Sequence, residues 1–402
     1  MELLRNAVRP YAWGSRTTIA ELLGLPVPAP HPQAELWMGS HPGDPSVLID
    51  AGCTLLERID ADPEGQLGAP TARRWGNRLP FLLKILAAEE PLSMQAHPSA
   101  EQAAEGWARE EALGIPRDAA HRNYPDPTAK PELVCALTEF HALAGFRDPH
   151  RTVELLDAVR TPGLSPHIDL LAGQPDSDGL RALFTTWITL PSTALQALMP
   201  DLLEACVLHV KDHGEFSLEC RTVLELAERY PGDAGVLAAL LLNRLVLGPG
   251  EAIYLPAGNL HAYLHGTAVE ILANSDNILR GGLTPKHVDV PELLRVLDFR
   301  CGPMPVNSGT ASGRVRVYRT DAPEFELSRV DWAEGEDETV ALGGPAPRIL
   351  VCTDGAVEVE CGGTTLIVTR GSSAWLCAAD PAPLARPVSG TACQVFVATV
   401  GS

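Results

Sequence analysis

Short apolar runs bounded by Pro, Gly and Asp mark the first hundred residues, at 35–39, 46–49 and 79–86. Runs of that kind predict strands and turns. Over 99–114 the spacing turns helical, with Ser99 placed to cap EQAAEGWAREEAL. Strand character returns over 132–145. From 148 to 242 the apolar residues recur at three and four, in TVELLDAV, DGLRALFTTWI, STALQALMPDLLEAC, LECRTVLELAERY and GVLAALLLN. That spacing predicts a run of amphipathic helices. RLVLGPGEAIYLPAGNLHAYL, from Arg244, reads as strand, Gly-Pro-Gly turn, strand, turn, strand. One more helix is predicted over 290–297, with Pro291 at its start. From Gly313 onward RVRVYR, FELSRV, RILVCTD, AVEVEC, TTLIVT and CQVFVAT are separated by DG, GG and GS turns. Strands on both sides of a helical block, followed by a β tail, predict a mainly β protein with an α insertion, its strands in antiparallel barrels.

Composition narrows the function classes. A chain of 402 residues, 45% hydrophobic, has material for two or three domains and is not disordered. Its 31 basic and 51 acidic residues give a formal charge of −20, which argues against a nucleic-acid partner. No apolar run is long enough to span a membrane, and MELLRNAVRPYAWGS lacks the pattern of an export signal. Nine cysteines without a CxxC pair fit a reduced compartment, so a cytoplasmic location is expected. Of the basic residues, four are lysines: Lys84, Lys130, Lys211 and Lys286. The twelve histidines all lie at or before His287, so a C-terminal barrel cannot be histidine-ligated.

Several pieces could carry chemistry. In Pro91-Leu-Ser-Met-Gln-Ala-His-Pro98, strand alternation puts Ser93, Gln95 and His97 on one face, where Gln95 and His97 can reach one metal ion; a polar strand end is the plainer alternative. In Ala129-Lys-Pro-Glu-Leu133 the proline holds the chain extended, so Lys130 and Glu132 project side by side. A carboxylate beside a lysine suits a metal ligand, and equally an exposed salt bridge. His261, Tyr263 and His265 alternate onto one face after the turn at Gly258 and Asn259. Glu270 lies in the apolar strand VEIL, where a carboxylate is costly without a task or a partner. Arg280 precedes two glycines, and Lys286 precedes a helix start that could hold a phosphate. Lys84 interrupts the apolar run LPFLLKIL, either snorkelling at an edge or buried beside an anion. Gln, His, Glu and a distant His form an N/O set with one charge, suited to zinc, with Mn²⁺ or Fe²⁺ as alternatives.

PLSMQAHPS, the KPE at Lys130–Glu132, LPAGNLHAYL, EILANSDNILRGGLTPKHVDV, RPYAWGS and AELWMGSHP together resemble the type I phosphomannose isomerases, in their order and approximate spacing along the chain as well. The resemblance runs over essentially the whole chain. It implies two cupin-type jelly-roll barrels with a helical domain: a catalytic unit at 1–147 and 243–312, an insertion at 148–242 and a C-terminal barrel without metal ligands at 313–402. It implies one zinc per chain on Gln95, His97, Glu132 and His261, and interconversion of mannose 6-phosphate and fructose 6-phosphate by a single chain acting as a monomer. Arg280 matches the family's essential arginine. Glu270, Asp276, Lys130, Lys286, Ser93, Lys84, Tyr263, Trp13 and Glu35 match positions that line the family's cleft. One departure is Ala129, where the family commonly has a histidine; this shifts weight to Glu270, Lys130 and Arg280.

Aldose–ketose isomerisation moves a proton between C1 and C2 through a cis-enediol. Glu270 is the expected base, its pKa raised by an apolar strand, with Lys130 the alternative. Arg280 is expected to stabilise the enediolate, and Ser93 and Lys286 to hold the phosphate. Rival readings are an iron dioxygenase, a non-enzymatic sugar-phosphate binder and an isomerase preferring another hexose phosphate.

Overall fold

The computed structural model describes residues 1–401. Its organising element is the strand His261–Ala273. The first part of this strand pairs with Met94–Ala96 and Phe140–Phe146, the second part with Phe81–Ala88 and Glu132–Ala136, all antiparallel. The change of partners falls where the register slips between Tyr263 and His265. Gly266, just beyond, has φ 119°, and a Cβ there would lie 2.5 Å from the Glu139 carbonyl oxygen. A bulge followed by such a glycine bends the strand, so one strand serves two walls and brings His261 and Glu270 to the same interior.

Alternation then sorts the side chains. The strand Phe81–Ala88 is buried at every position. Phe81, Leu83, Ile85 and Ala87 enter a core shared with Tyr318, Ile349 and Trp375 from the C-terminal segment. Leu86 and Ala88 face the opposite way, into a core with Val134 and Tyr263. Lys84 belongs by alternation to that second face. Glu270 stands directly opposite it in register, with Trp37 on its other side.

The helices from Pro149–Ala158 to Ser217–Arg229 lie between Phe140–Phe146 and Leu242–Leu247, two strands that pair with each other. The helical block is thus an excursion between neighbouring strands. Its core of Leu183, Phe184, Trp187 and Leu226 includes Met94, Ala96 and Leu264. Packing Met94 and Ala96 against the helices turns Gln95 to the other side.

The C-terminal segment contributes six strands between 310 and 399 to an eight-stranded sheet. Two strands from the start of the chain complete it: Glu2–Arg5 pairs with Ser373–Leu376 and with Val47–Leu48. A four-stranded sheet of Val340–Ala341, Leu384–Pro387, Ala356–Cys361 and Thr364–Thr369 packs on it through Val330, Leu350 and Val359.

Two expectations need correction. The architecture is antiparallel β with helices, but among the described residues the strand paths run open and no barrel closes; the two walls are joined through the shared strand His261–Ala273. The first hundred residues also contain helices, at Thr18–Leu22, Leu55–Ala61, Pro63–Leu67 and Ala69–Trp75. Each is short, but two carry legible caps. Thr54 and Glu57 form a capping box, and Asp62 accepts from the Gly65 N–H. Among the described residues no helix is long and apolar enough to cross a membrane.

Candidate metal centre

Two imidazoles and a carboxylate converge from three strands or their ends. His97 follows the short strand Met94–Ala96, Glu132 opens the strand Glu132–Ala136, and His261 opens His261–Ala273. The three potential ligand atoms lie within 4.8 Å of one another, and all three residues are buried. His97 Nε2 is 3.3 Å from Glu132 Oε1, and His261 Nε2 is 3.5 Å from Glu132 Oε2.

Both rings are held from behind. His97 Nδ1 lies 2.8 Å from the carbonyl oxygen of Asn277, and His261 Nδ1 lies 3.0 Å from that of Asn259. A ring nitrogen facing a carbonyl oxygen must carry the hydrogen, so both Nε2 atoms are left as lone-pair donors. His97 Nε2 is buried and, among the described residues, has no hydrogen-bond partner. An orphaned acceptor of this kind, aimed at a carboxylate and a second imidazole, is what a divalent cation would satisfy. Burial pushes the His97 pKa down to about 4, with Lys130 and His261 adding to the shift and Glu132 opposing it; the ring is neutral, as a ligand must be. Burial alone would raise Glu132. The Lys130 ammonium is among the nearby groups that outweigh it, and the carboxylate is held well below its ordinary range. Gln95 lies in register between His261 on one neighbouring strand and Arg280 on the other. Its Nε2 donates to Ser93 Oγ at 3.0 Å. That bond leaves its amide oxygen free to serve as a fourth, neutral ligand.

A second charged group lies beside this set. Lys84 Nζ is 3.5 Å from Glu35 Oε2 and 3.3 Å from Glu270 Oε2, with all three residues buried. Tyr263 donates its hydroxyl to Glu270 Oε1 at 2.9 Å, and Trp37 its indole N–H to Glu35 Oε2 at 2.6 Å. Lys84 also stands over the Trp37 ring, 5.2 Å from its centroid. Burial disfavours the Lys84 ammonium, but Glu35 and Glu270 overcome this and raise its pKa. Glu270 is raised by burial, with Glu132 and Glu35 adding and Lys84 opposing. Burial and the nearby carboxylates raise Tyr263. Lys130 Nζ is 3.3 Å from Glu132 Oε1. Three carboxylates thus face two ammonium groups. A divalent cation would turn a local excess of negative charge into a positive one, able to receive an anionic ligand.

The other residues singled out from the sequence are less tightly grouped. Arg280 is half-buried, and among the described residues its guanidinium makes no hydrogen bond or salt bridge; burial lowers its pKa. Asp276 is exposed and bonded to His41 Nε2 at 3.2 Å, which lowers its pKa. Lys286 is exposed, its backbone N–H bonded to Thr284 Oγ1. Trp13 stacks on Tyr11 at 5.7 Å and packs against the core that contains Tyr263. Sequence reasoning missed Asn277 and Asn259, whose backbone oxygens orient the histidines, and His41 and Trp37. It also missed Asp126, which accepts from the Ser275 hydroxyl, the Asp276 N–H and the Asn277 amide and so fixes the loop behind His97. The run Asn274-Ser-Asp-Asn277 was the available signal for that loop.

Residues 1–149 match a family model for the catalytic domain of phosphomannose isomerase type I. The mannose-6-phosphate isomerase of Escherichia coli is 38% identical over 98% of this chain and 99% of its own. That of Homo sapiens is 31% identical over 88% of this chain and 87% of its own. A crystal structure of a phosphomannose isomerase mutant from Salmonella typhimurium superposes with a TM-score of 0.90 at 35% identity, covering both chains completely. A zinc-bound holo structure of mannose 6-phosphate isomerase gives a TM-score of 0.89 at 35% identity over 100% of this chain and 99% of that one.

Proposed function

The chain belongs to the type I phosphomannose isomerases, and from that premise we propose that it interconverts D-mannose 6-phosphate and D-fructose 6-phosphate by proton transfer through a cis-enediol. It is an isomerase with zinc as its metal. The observation that carries the reading is the convergence of His97, Glu132 and His261, each imidazole anchored through Nδ1 with Nε2 facing inward.

In this reading Gln95, His97, Glu132 and His261 hold the zinc. When bound, zinc supplies Lewis acidity to sugar oxygens. The chain's own groups do the rest. Glu270 takes the carbon-bound proton and returns it to the neighbouring carbon. Its raised pKa supports the assignment, and the contacts from Lys84 and Tyr263 fix its orientation. Lys130 is the alternative base. Arg280, without a protein partner among the described residues, stabilises the enediolate charge. Ser93 and Lys286 receive the phosphate, and Glu35, Asp276, Tyr263 and Trp13 shape the cleft. The work is divided among a catalytic unit at 1–147 and 243–312, a helical insertion at 148–242 and a C-terminal unit at 313–402, the two β units each a jelly roll. The enzyme acts as a cytoplasmic monomer.

The test is a coupled assay with mannose 6-phosphate before chelation, after chelation and after zinc restoration. Activity should vanish with the metal and return with it; activity indifferent to chelation would overturn the reading. For the base, Glu270→Gln should abolish solvent deuterium exchange into the sugar while zinc stays near one per chain. Retained exchange would move the role to Lys130.

A further inference from the structure

We propose that the C-terminal β unit contains a second, separate binding site, for a small organic carboxylate with an aliphatic body. A cavity of about 470 Å³ opens at one end of this unit and shares no residue with the metal centre. That volume lies within the ~300–1,000 Å³ range of small-molecule sites.

One wall of the cavity is a face of the eight-stranded sheet, and the segment 341–346 closes another side. The paired positions are Arg348 opposite Thr399, Glu326 opposite the same Thr399, Ser328 opposite Val397 and Val317 opposite Ser328. By strand alternation these side chains share the face whose deeper positions, Val330 and Leu350, form the apolar core against the four-stranded sheet. The interior is therefore aliphatic below and polar at the mouth.

Arg348 is the informative residue. It is 4% exposed, yet among the described residues no carboxylate lies within salt-bridge distance of it. Two backbone oxygens, of Ala346 and Gly344, accept from its two terminal nitrogens. A guanidinium carries five N–H donors, so those two bonds leave three donors without a protein acceptor, and the charge without a carboxylate, among the described residues. Burial lowers its pKa. A buried cation left without an anion is costly. A carboxylate entering the mouth would supply the missing charge in the bidentate geometry that suits a guanidinium.

The rest of the mouth selects within anions. Glu326 sits on the same rim and, among the described residues, has no basic partner, so it repels a dianion more than a monoanion. That favours a carboxylate over a phosphate. The Ser328 hydroxyl bonds weakly to the Val397 oxygen at 3.4 Å and is available to a ligand. Val317, Val330 and Val397 line the wall and favour an aliphatic body.

The test uses the full-length, zinc-loaded protein and valerate as the probe, with valeramide and inorganic phosphate as comparisons, by calorimetric titration. Valerate should bind saturably, and valeramide and phosphate each at least about tenfold more weakly, because a charged hydrogen bond is worth that much. Arg348→Met should weaken valerate at least about tenfold. Should Arg348→Met fail to fold, Val317→Phe fills the cavity from its wall and should abolish valerate binding while isomerase activity stays within twofold. Absence of saturable valerate binding overturns the proposal. So does binding that survives Val317→Phe, and so does phosphate or valeramide binding as tightly as valerate.

Discussion

The two β regions of this molecule share an antiparallel build and differ in what their interiors contain. Inside the first, Glu35, Lys84, Lys130, Glu132, His97, His261 and Glu270 are all buried. Inside the second, between the eight- and four-stranded sheets, the packed face is Val330, Leu350, Cys352, Val357, Val359 and Val395, with Arg348 at the mouth. Packing alone is satisfied by the second kind of interior. Each buried charge in the first carries a desolvation cost that packing does not require. The comparison therefore separates side chains that packing explains from side chains that it does not, within one chain.

That distinction can be broken by substitution. The largest effect is expected at His97→Ala, which removes a ligand with a fixed tautomer. Metal content should fall well below one per chain, and turnover should drop by more than the ~10–100-fold typical of losing a mere outer partner of a metal ligand. Zinc analysis and the coupled assay check both, and a fully active, metal-free variant would contradict the separation. Next is Lys84→Met, which leaves Glu35 and Glu270 buried without their shared cation. Denaturant unfolding should show a loss of ~3–5 kcal/mol, and additional substitution of Glu35 and Glu270 by Gln should recover part of it. Leu350→Ala, in the second interior, should cost ~2–5 kcal/mol in stability while zinc content and kcat stay unchanged. A kcat loss there would mean that the two interiors are not independent.

The smallest expected effect compares two carboxyls raised by burial. Glu270 has Lys84; Glu324, in the C-terminal segment, has a buried Oε2 without a partner. Burial raises the Glu324 pKa, with its own backbone and Arg74 opposing. A raised folded-state pKa means that the folded protein binds the proton more tightly than the unfolded chain. Stability is thus lost as pH rises through the window above the ordinary value of 4.5. Glu324→Gln should stabilise the protein at pH 7 by less than ~1 kcal/mol, since the group is partly solvated, and should give no gain at pH 3. An equal gain at both pH values would show that charge burial is not the cause.

Legibility from the sequence followed the range of the interaction concerned. His97, Glu132 and His261 each stand in a short motif whose strand setting was readable from Pro, Gly and alternation. The carboxylate in VEIL announced itself as a misfit in an apolar strand, and the misfit in LPFLLKIL turned out to be its cross-strand partner. What stayed hidden depends on backbone atoms and on distant loops. No residue type signals that the carbonyl oxygens of Asn277 and Asn259 will face imidazoles, because any residue supplies the same oxygen. The short helices at Leu55–Ala61 and Pro63–Leu67 were obscured by their length, which leaves too few turns for an apolar repeat to show. The open strand paths could not be read at all, since whether a sheet closes depends on pairings between distant segments.

The strand Glu2–Arg5 sets a schedule. Its partner Ser373–Leu376 lies about 370 residues further along the chain. At ~5–20 residues per second of synthesis, the first strand waits roughly 20–70 s for that partner to emerge from the ribosome. During that interval the emerging protein carries an unpaired strand edge. The metal-binding segments, complete by residue 273, can assemble earlier. Ribosome-stalled chains ending shortly after residue 312 should therefore acquire protease resistance around His97 and His261 while the peptide bonds near Leu3 are still cleaved.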